Sequence, residues 1–141
     1  VKSIEISSSQ DLERVYPVMH ELRNHLSFNE FKSLFEQAKK LGDYKLLAFE
    51  NDKGQIIASM GYRILVDFVH GRHFYVDDLV VANEYRSKGI GAKILQIAEQ
   101  LAAKNDCNNL RLCTGIQNIE GKKFYEKNGW DLRAVAYKKK L

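Results

Sequence analysis

The stretch from Phe74 to Lys104 constrains this chain most. Phe74 to Ala82 is aromatic and β-branched and reads as a strand. Ile90, Ile94, Ile97 and Leu101 then recur at helical spacing, with Lys93, Gln96, Gln100 and Lys104 on other faces. Between them lies Arg86-Ser87-Lys88-Gly89-Ile90-Gly91, a turn of low bulk that ends in a fresh helix N-terminus. Exposed N–H groups and the positive end of a helix dipole favour an anion there, with Arg86 and Lys88 beside it. The stretch therefore predicts a strand feeding an anion-binding helix.

The remaining elements follow in order. Val1 to Ile6 alternates as a strand. Ser8 with Asp11 forms a short-armed capping box, and Leu12, Val15, Met19, Leu22 and Leu26 keep helical spacing. Pro17 lies inside that pattern and predicts a kink or a division, since it removes a donor and crowds the preceding turn. Ser27 caps a second helix, with Phe28, Phe31, Leu34, Phe35 and Ala38 on its apolar side, ending near Gly42. Tyr44–Glu50 and Gln55 to about Val66 form a hairpin across Asn51-Asp52-Lys53-Gly54, and a short connection with Gly71 leads on to Phe74. After the central helix come a strand from Asn109 to Thr114, a short helix from Asn118 to Asn128 stopped by Gly129, and a last strand from Trp130 to Lys140. The order β-α-α-β-β-β-α-β-α-β predicts an α/β fold with a mixed sheet and helices on both faces.

At 141 residues a single domain over 1–141 is expected. Twenty-two basic and 18 acidic residues leave a net charge of +4, which suits a phosphate-rich small ligand and is too small and scattered to argue for nucleic acid. Cys107 and Cys113 are too few for a disulfide framework, and His20, His25, His70 and His73 are irregularly spaced, so no metal is expected. No signal peptide is visible, and no apolar run approaches the ~20 residues of a membrane helix, so the expected location is cytoplasmic, away from membranes. Lys138-Lys139-Lys140 reads as a solvated guard on an edge strand.

The glycine loop is not a Walker loop, because Gly91-Ala92-Lys93-Ile94 lacks Gly-Lys-Ser/Thr, nor a dinucleotide fingerprint, because Ile94 stands at the third glycine and no acidic residue follows near Arg111-Leu112. What remains is R-x-x-G-x-G after a strand. Together with Y-V-D-D-L-V-V, Gln117-Asn118 and F-Y-E-K-N-G-W at Phe124–Trp130, and with the order of elements, the chain resembles the GCN5-related N-acetyltransferase (GNAT) superfamily over essentially its whole length. Leu22–Ser27 (L-R-x-H-L-S) and Thr114–Gln117 look most like its small bacterial members.

The resemblance implies acetyl-CoA as donor and an amine of a small molecule or peptide as acceptor, joined by direct attack in a ternary complex. It implies that Leu79, Val80 and Val81 bond the pantetheine arm, and that Arg86, Ser87, Lys88, Gly89, Ile90, Gly91 and Ala92 hold the pyrophosphate. It matches Asn118 to a cofactor contact and Tyr125 to the acid that protonates the leaving thiolate. It also allows a homodimer.

The chemistry makes its own demands. An amine of pKa ~10.4 must lose a proton, a thiol leaving group of pKa ~8.5 benefits from an acid, and the oxyanion needs a donor such as the Val80 or Val81 N–H. Asp77 and Asp78 are adjacent in a strand and so are expected on opposite faces, with Asp78 in phase with Val76 and Val80 unless a bulge switches the phase. A free Asp, pKa ~3.9, is a poor direct base, so the alternatives are ordering a water chain or holding the ammonium. His20, His25, Arg23, Tyr62 and Arg63 are further acceptor-side candidates. A non-catalytic CoA-binding sensor or interaction module on the same fold is the competing function. The helices near 12–41 and the loop near 66–73 are expected to shape the acceptor site.

Overall fold

The structure, a computed structural model, describes residues 1–141. Its elements are β1 (Lys2–Glu5), α1 (Ser9–Leu22), α2 (Phe28–Gly42), β2 (Lys45–Glu50), β3 (Ile56–Asp67), β4 (Gly71–Val81), a 3-10 turn (Asn83–Tyr85), α3 (Ile90–Lys104), β5 (Asn109–Leu112) and α4 (Ile119–Lys127). They fall into two compact units, Val1–Arg111 and Leu112–Leu141.

One five-stranded sheet runs in the order β1-β2-β3-β4-β5. The first four strands pair antiparallel. β5 starts beside the start of β4: Asn108 N–H donates to the Arg72 carbonyl at 2.8 Å, and Asn109 Nδ2 to the His70 carbonyl at 2.9 Å. Further along, Arg111 reaches the Tyr75 ring, so the two strands run the same way, as a β-α-β crossover requires. β5 is four residues long against eleven in β4.

Both faces of the sheet are covered. Neighbours Ala48 and Phe49 point to opposite faces of β2, yet both are fully buried. The face with Leu46, Ala48 and Val80 packs against Leu12, Val15, Val18 and Met19 of α1 and Phe31 and Phe35 of α2. Each such side chain contributes about 1.5–3 kcal/mol when fully buried. α3 packs on β4 and buries Ile94, Leu95, Ala98 and Ala102.

One expectation narrows and another changes. Pro17 does not divide α1, which runs as one helix from Ser9 to Leu22 with Pro17 at an exposed position. Residues 130–141 form no strand. The segment has strand-like residues but no partner strand, and its three consecutive lysines, Lys138–Lys140, put charge on both period-2 faces. Leu132, Val135 and Tyr137 are exposed, so propensity had no sheet to act on.

Candidate active site

The loop after β4 is fixed from several sides. Ala82 N–H donates to the Ile57 carbonyl at 2.8 Å. Glu21 of α1 accepts from Asn83 N–H at 2.8 Å and pairs with Arg86 at 3.6 Å. Arg86 Nε turns back to the Val81 carbonyl at 2.9 Å, and Lys88 Nζ lies 5.5 Å from the centre of the Tyr85 ring. Ser87 (φ 63°) and Gly89 (φ 78°) are both left-handed. Gly89 is the N-cap of α3, and no side chain caps that helix. The first-turn N–H groups are therefore presented without an internal acceptor from a side chain, which fits an anion.

Just upstream, β4 carries a bulge. Gly61 pairs with Asp78 but Tyr62 pairs with Val76, so Asp77 is the extra residue. Adjacent strand residues should face opposite ways, but the bulge switches the phase between them. Asp77 and Asp78 consequently line one cleft, of about 650 Å³, with Arg23, His25, Tyr44 and Arg63. The expectation of opposite faces is corrected here.

Both carboxylates are engaged. Arg63 grips Asp77 through two bonds, Nε–Oδ2 at 2.8 Å and Nη2–Oδ1 at 2.7 Å. Arg23 meets Asp78 Oδ1 at 3.0 Å from Nε and 2.9 Å from Nη2, and also reaches the Asp77 carbonyl at 3.2 Å. Tyr44 donates its hydroxyl to Asp78 Oδ2 at 2.7 Å. Burial, then the Asp78 charge, pushes the Tyr44 hydroxyl well above its ordinary value, so it stays a donor. Gly61 makes room for it, since a Cβ there would overlap the Tyr44 phenol. The other wall is apolar, with Leu26, Phe31, Leu34 and Leu41.

Within the second unit, Asn118 caps α4. Its Oδ1 accepts from Gly121 N–H at 3.0 Å and its Nδ2 donates to Thr114 Oγ1 at 2.9 Å. Tyr125 stands edge-on to Phe124, with ring centres 5.2 Å apart, and 6.0 Å from Trp130. Burial raises its hydroxyl above the ordinary 10.0.

Comparison with known proteins decides the family. The model of the acetyltransferase (GNAT) family matches residues 9–130. The chain belongs to the GNAT family. It is an acetyl-transfer enzyme. It is 29% identical over 137 residues to the uncharacterized N-acetyltransferase YhdJ of Bacillus subtilis (strain 168), covering 96% of this chain and 95% of that one. It is 27% identical over 110 residues to glucosamine 6-phosphate N-acetyltransferase 1 of Dictyostelium discoideum, covering 75% and 68%. Its fold matches a putative acetyl transferase from Pyrococcus furiosus with a TM-score of 0.78 at 23% identity, over 99% of this chain and 100% of that one.

In this GNAT chain, one strand, the loop after it and the first turn of α3 carry Asp77, Asp78, Leu79–Val81 and Arg86–Ala92. Val80 is buried, while Leu79 and Val81 are half-buried. Of the acceptor-side candidates, Arg23, His25 and Arg63 line the cleft. His20 is exposed, its ring 5.4 Å from that of Tyr16. Tyr62 stacks on Phe74 at 4.4 Å. Tyr44 was not among the sequence candidates. The available signal was Gly61 inside a strand pattern, which marks a close approach. The irregular spacing of the histidines also led to no expected metal, yet the β3–β4 turn gathers His70 and His73 around Asp67.

Proposed function

We propose that this enzyme transfers the acetyl group of acetyl-CoA to a primary amine of a small molecule or peptide, by direct attack in a ternary complex within a single domain. The uncapped N-terminus of α3, directly after β4, carries the reading. Acetyl-CoA supplies an activated thioester. Its pyrophosphate suits the donors of Arg86–Ala92, and its pantetheine arm the backbone of Leu79–Val81. β5 supports this second assignment: its four residues, about 13 Å at 3.3 Å each, start beside the start of β4 and stop short of the Leu79–Val81 end.

The acceptor amine is assigned to the cleft. There Asp77 and Asp78 hold the ammonium or order the water that takes its proton. Neither acts as a free base, because Arg63, Arg23 and Tyr44 already occupy their oxygens. The amine nitrogen forms the new bond to the acetyl carbon as the carbon–sulfur bond breaks. The Val80 or Val81 N–H serves the oxyanion. Tyr125, kept protonated by its burial, gives its proton to the departing thiolate. Asn118 is assigned to the cofactor through its amide. The glucosamine 6-phosphate and thialysine acetyltransferases among the relatives make phosphorylated amino sugars and lysine-like amines the first acceptors to try.

A panel of amino sugars, lysine analogues, polyamines, antibiotics and peptides, assayed for free CoA release, tests this. Acceptor-dependent release is expected for at least one class. Tight CoA binding with no turnover across the panel would instead favour a non-catalytic sensor.

A further inference from the structure

The turn between β3 and β4 collects three side chains that the acetyl-transfer chemistry does not use. Asp67, His70 and His73 stand three residues apart, and their ligand atoms all lie within 4.8 Å of one another. The turn holds them in place. His70 N–H donates to Asp67 Oδ1 at 2.6 Å, which orients the carboxylate. Asn109 fixes the His70 carbonyl from β5. His73 is fully buried, and its Nδ1 faces the Gly71 carbonyl at 2.9 Å. Donation there sets the tautomer and leaves a lone pair on Nε2, the arrangement usual for a metal-binding histidine.

We infer that Asp67, His70 and His73 form a binding site for a divalent transition-metal ion of the zinc, cobalt or nickel type. Two imidazoles and one carboxylate suit such ions. A tetrahedral zinc with bonds of about 2.0–2.1 Å holds its ligand atoms about 3.4 Å apart. The Asp67 Oδ2 to His70 Nδ1 distance is 3.2 Å, the Asp67 Oδ2 to His73 Nε2 distance is 3.9 Å, and all three ligand atoms lie within 4.8 Å of one another, so the set must draw closer around the ion. His70 ligates through Nδ1 with its proton on Nε2, and water completes the coordination.

Arg111 opposes the ion. Its Nη1 lies 3.3 Å from His73 Nε2 and 3.8 Å from Asp67 Oδ2, so it stands where the metal must enter. It is also partly exposed, and its guanidinium lies 5.4 Å from the Tyr75 ring centre. Binding therefore displaces a partly exposed cation from two of the three ligands, and losing that cation should favour the metal.

The test is calorimetry of tag-free, chelator-treated protein with ZnCl2, alongside melting with and without the ion. One zinc per chain at low-micromolar affinity or tighter is expected, with a raised Tm. Asp67→Asn and His70→Gln, both at partly exposed positions, should each weaken binding more than tenfold and cancel the rise in Tm while circular dichroism reports a folded chain. Arg111→Met should tighten binding about tenfold, an effect a merely structural turn would not give. The inference is overturned by absent stoichiometric binding or by affinity unchanged in these three variants. It is equally overturned by a thiolate signature in the Co2+ spectrum, which would put the metal on Cys107 or Cys113.

Discussion

α1 and α3 face the same physical problem and solve it oppositely. Every helix begins with backbone donors that have no partner inside the helix. α1 closes its own: Ser8 Oγ accepts from Asp11 N–H at 3.0 Å, and Asp11 Oδ2 accepts from Ser8 N–H at 3.1 Å and Ser7 N–H at 3.0 Å. α2 repeats the device with Ser27 and Glu30, and α4 uses Asn118. α3 has Gly89 as its N-cap and no side chain to close its first turn. Glycines alone do not single out a ligand site in this molecule. The proposed anion site rests instead on the missing cap, which leaves donors for an acceptor from outside.

The comparison breaks or sharpens in ways that differ in size. The largest effect is expected where binding and chemistry separate. Tyr125→Phe keeps the ring and removes only the hydroxyl. With a working acceptor and saturating acetyl-CoA, turnover should fall by about 10²–10⁴ while CoA affinity stays near wild type. Wild-type turnover, where chemistry limits the rate, would take Tyr125 out of the mechanism. Its pH profile has a definite sign: the acid must be protonated and burial raises it, so loss of activity from this group comes only above pH 10.

A smaller effect is expected at the closed helices. Ser8→Ala and Ser27→Ala should each cost about 1 kcal/mol in chemical denaturation and leave CoA affinity unchanged. A change in CoA affinity would mean that the closed termini are also part of the site. The smallest effect is in acid. Backbone N–H bonds from Ser7 and Ser8, and from Ser27, depress the folded-state values of Asp11 and Glu30 below their ordinary 3.8 and 4.5. A depressed value gives stability that is present above the unfolded value and lost as pH falls through the folded one. The Tm of the wild type should therefore drop on acidification below about pH 4. In Asp11→Asn the drop should be shallower. Equal slopes would remove the box from the account.

The helices and the central strand–loop–helix were legible because each carries its own local signal: a capping serine, a 3.6-residue apolar period, a glycine at a left-handed position. The shared direction of Asp77 and Asp78 was not legible. It depends on a bulge set by how β4 registers on β3 across Gly61 and Tyr62, and register is a property of two strands. Tyr44 escaped for the same reason, since its role depends on Gly61 beneath it and Asp78 across from it. The strand read from Trp130 to Lys140 failed in the reverse sense. Its residues favour a strand, but a strand exists only beside a partner. His70 and His73 looked unrelated as spacings and meet only because the hairpin turns between them and Asp67.

The central claim is that the open N-terminus of α3 receives the CoA pyrophosphate. Calorimetry of CoA binding to Gly89→Asp tests it most directly, with Gly91→Asp as its partner. Asp tolerates the left-handed backbone better than most residues, and a Cβ at position 89 meets nothing within 4 Å, so the fold should survive. The new carboxylate would stand where the phosphates go. A folded Gly89→Asp chain that loses CoA affinity by more than a hundredfold is the predicted result. A folded variant that binds CoA as tightly as the wild type would contradict the account.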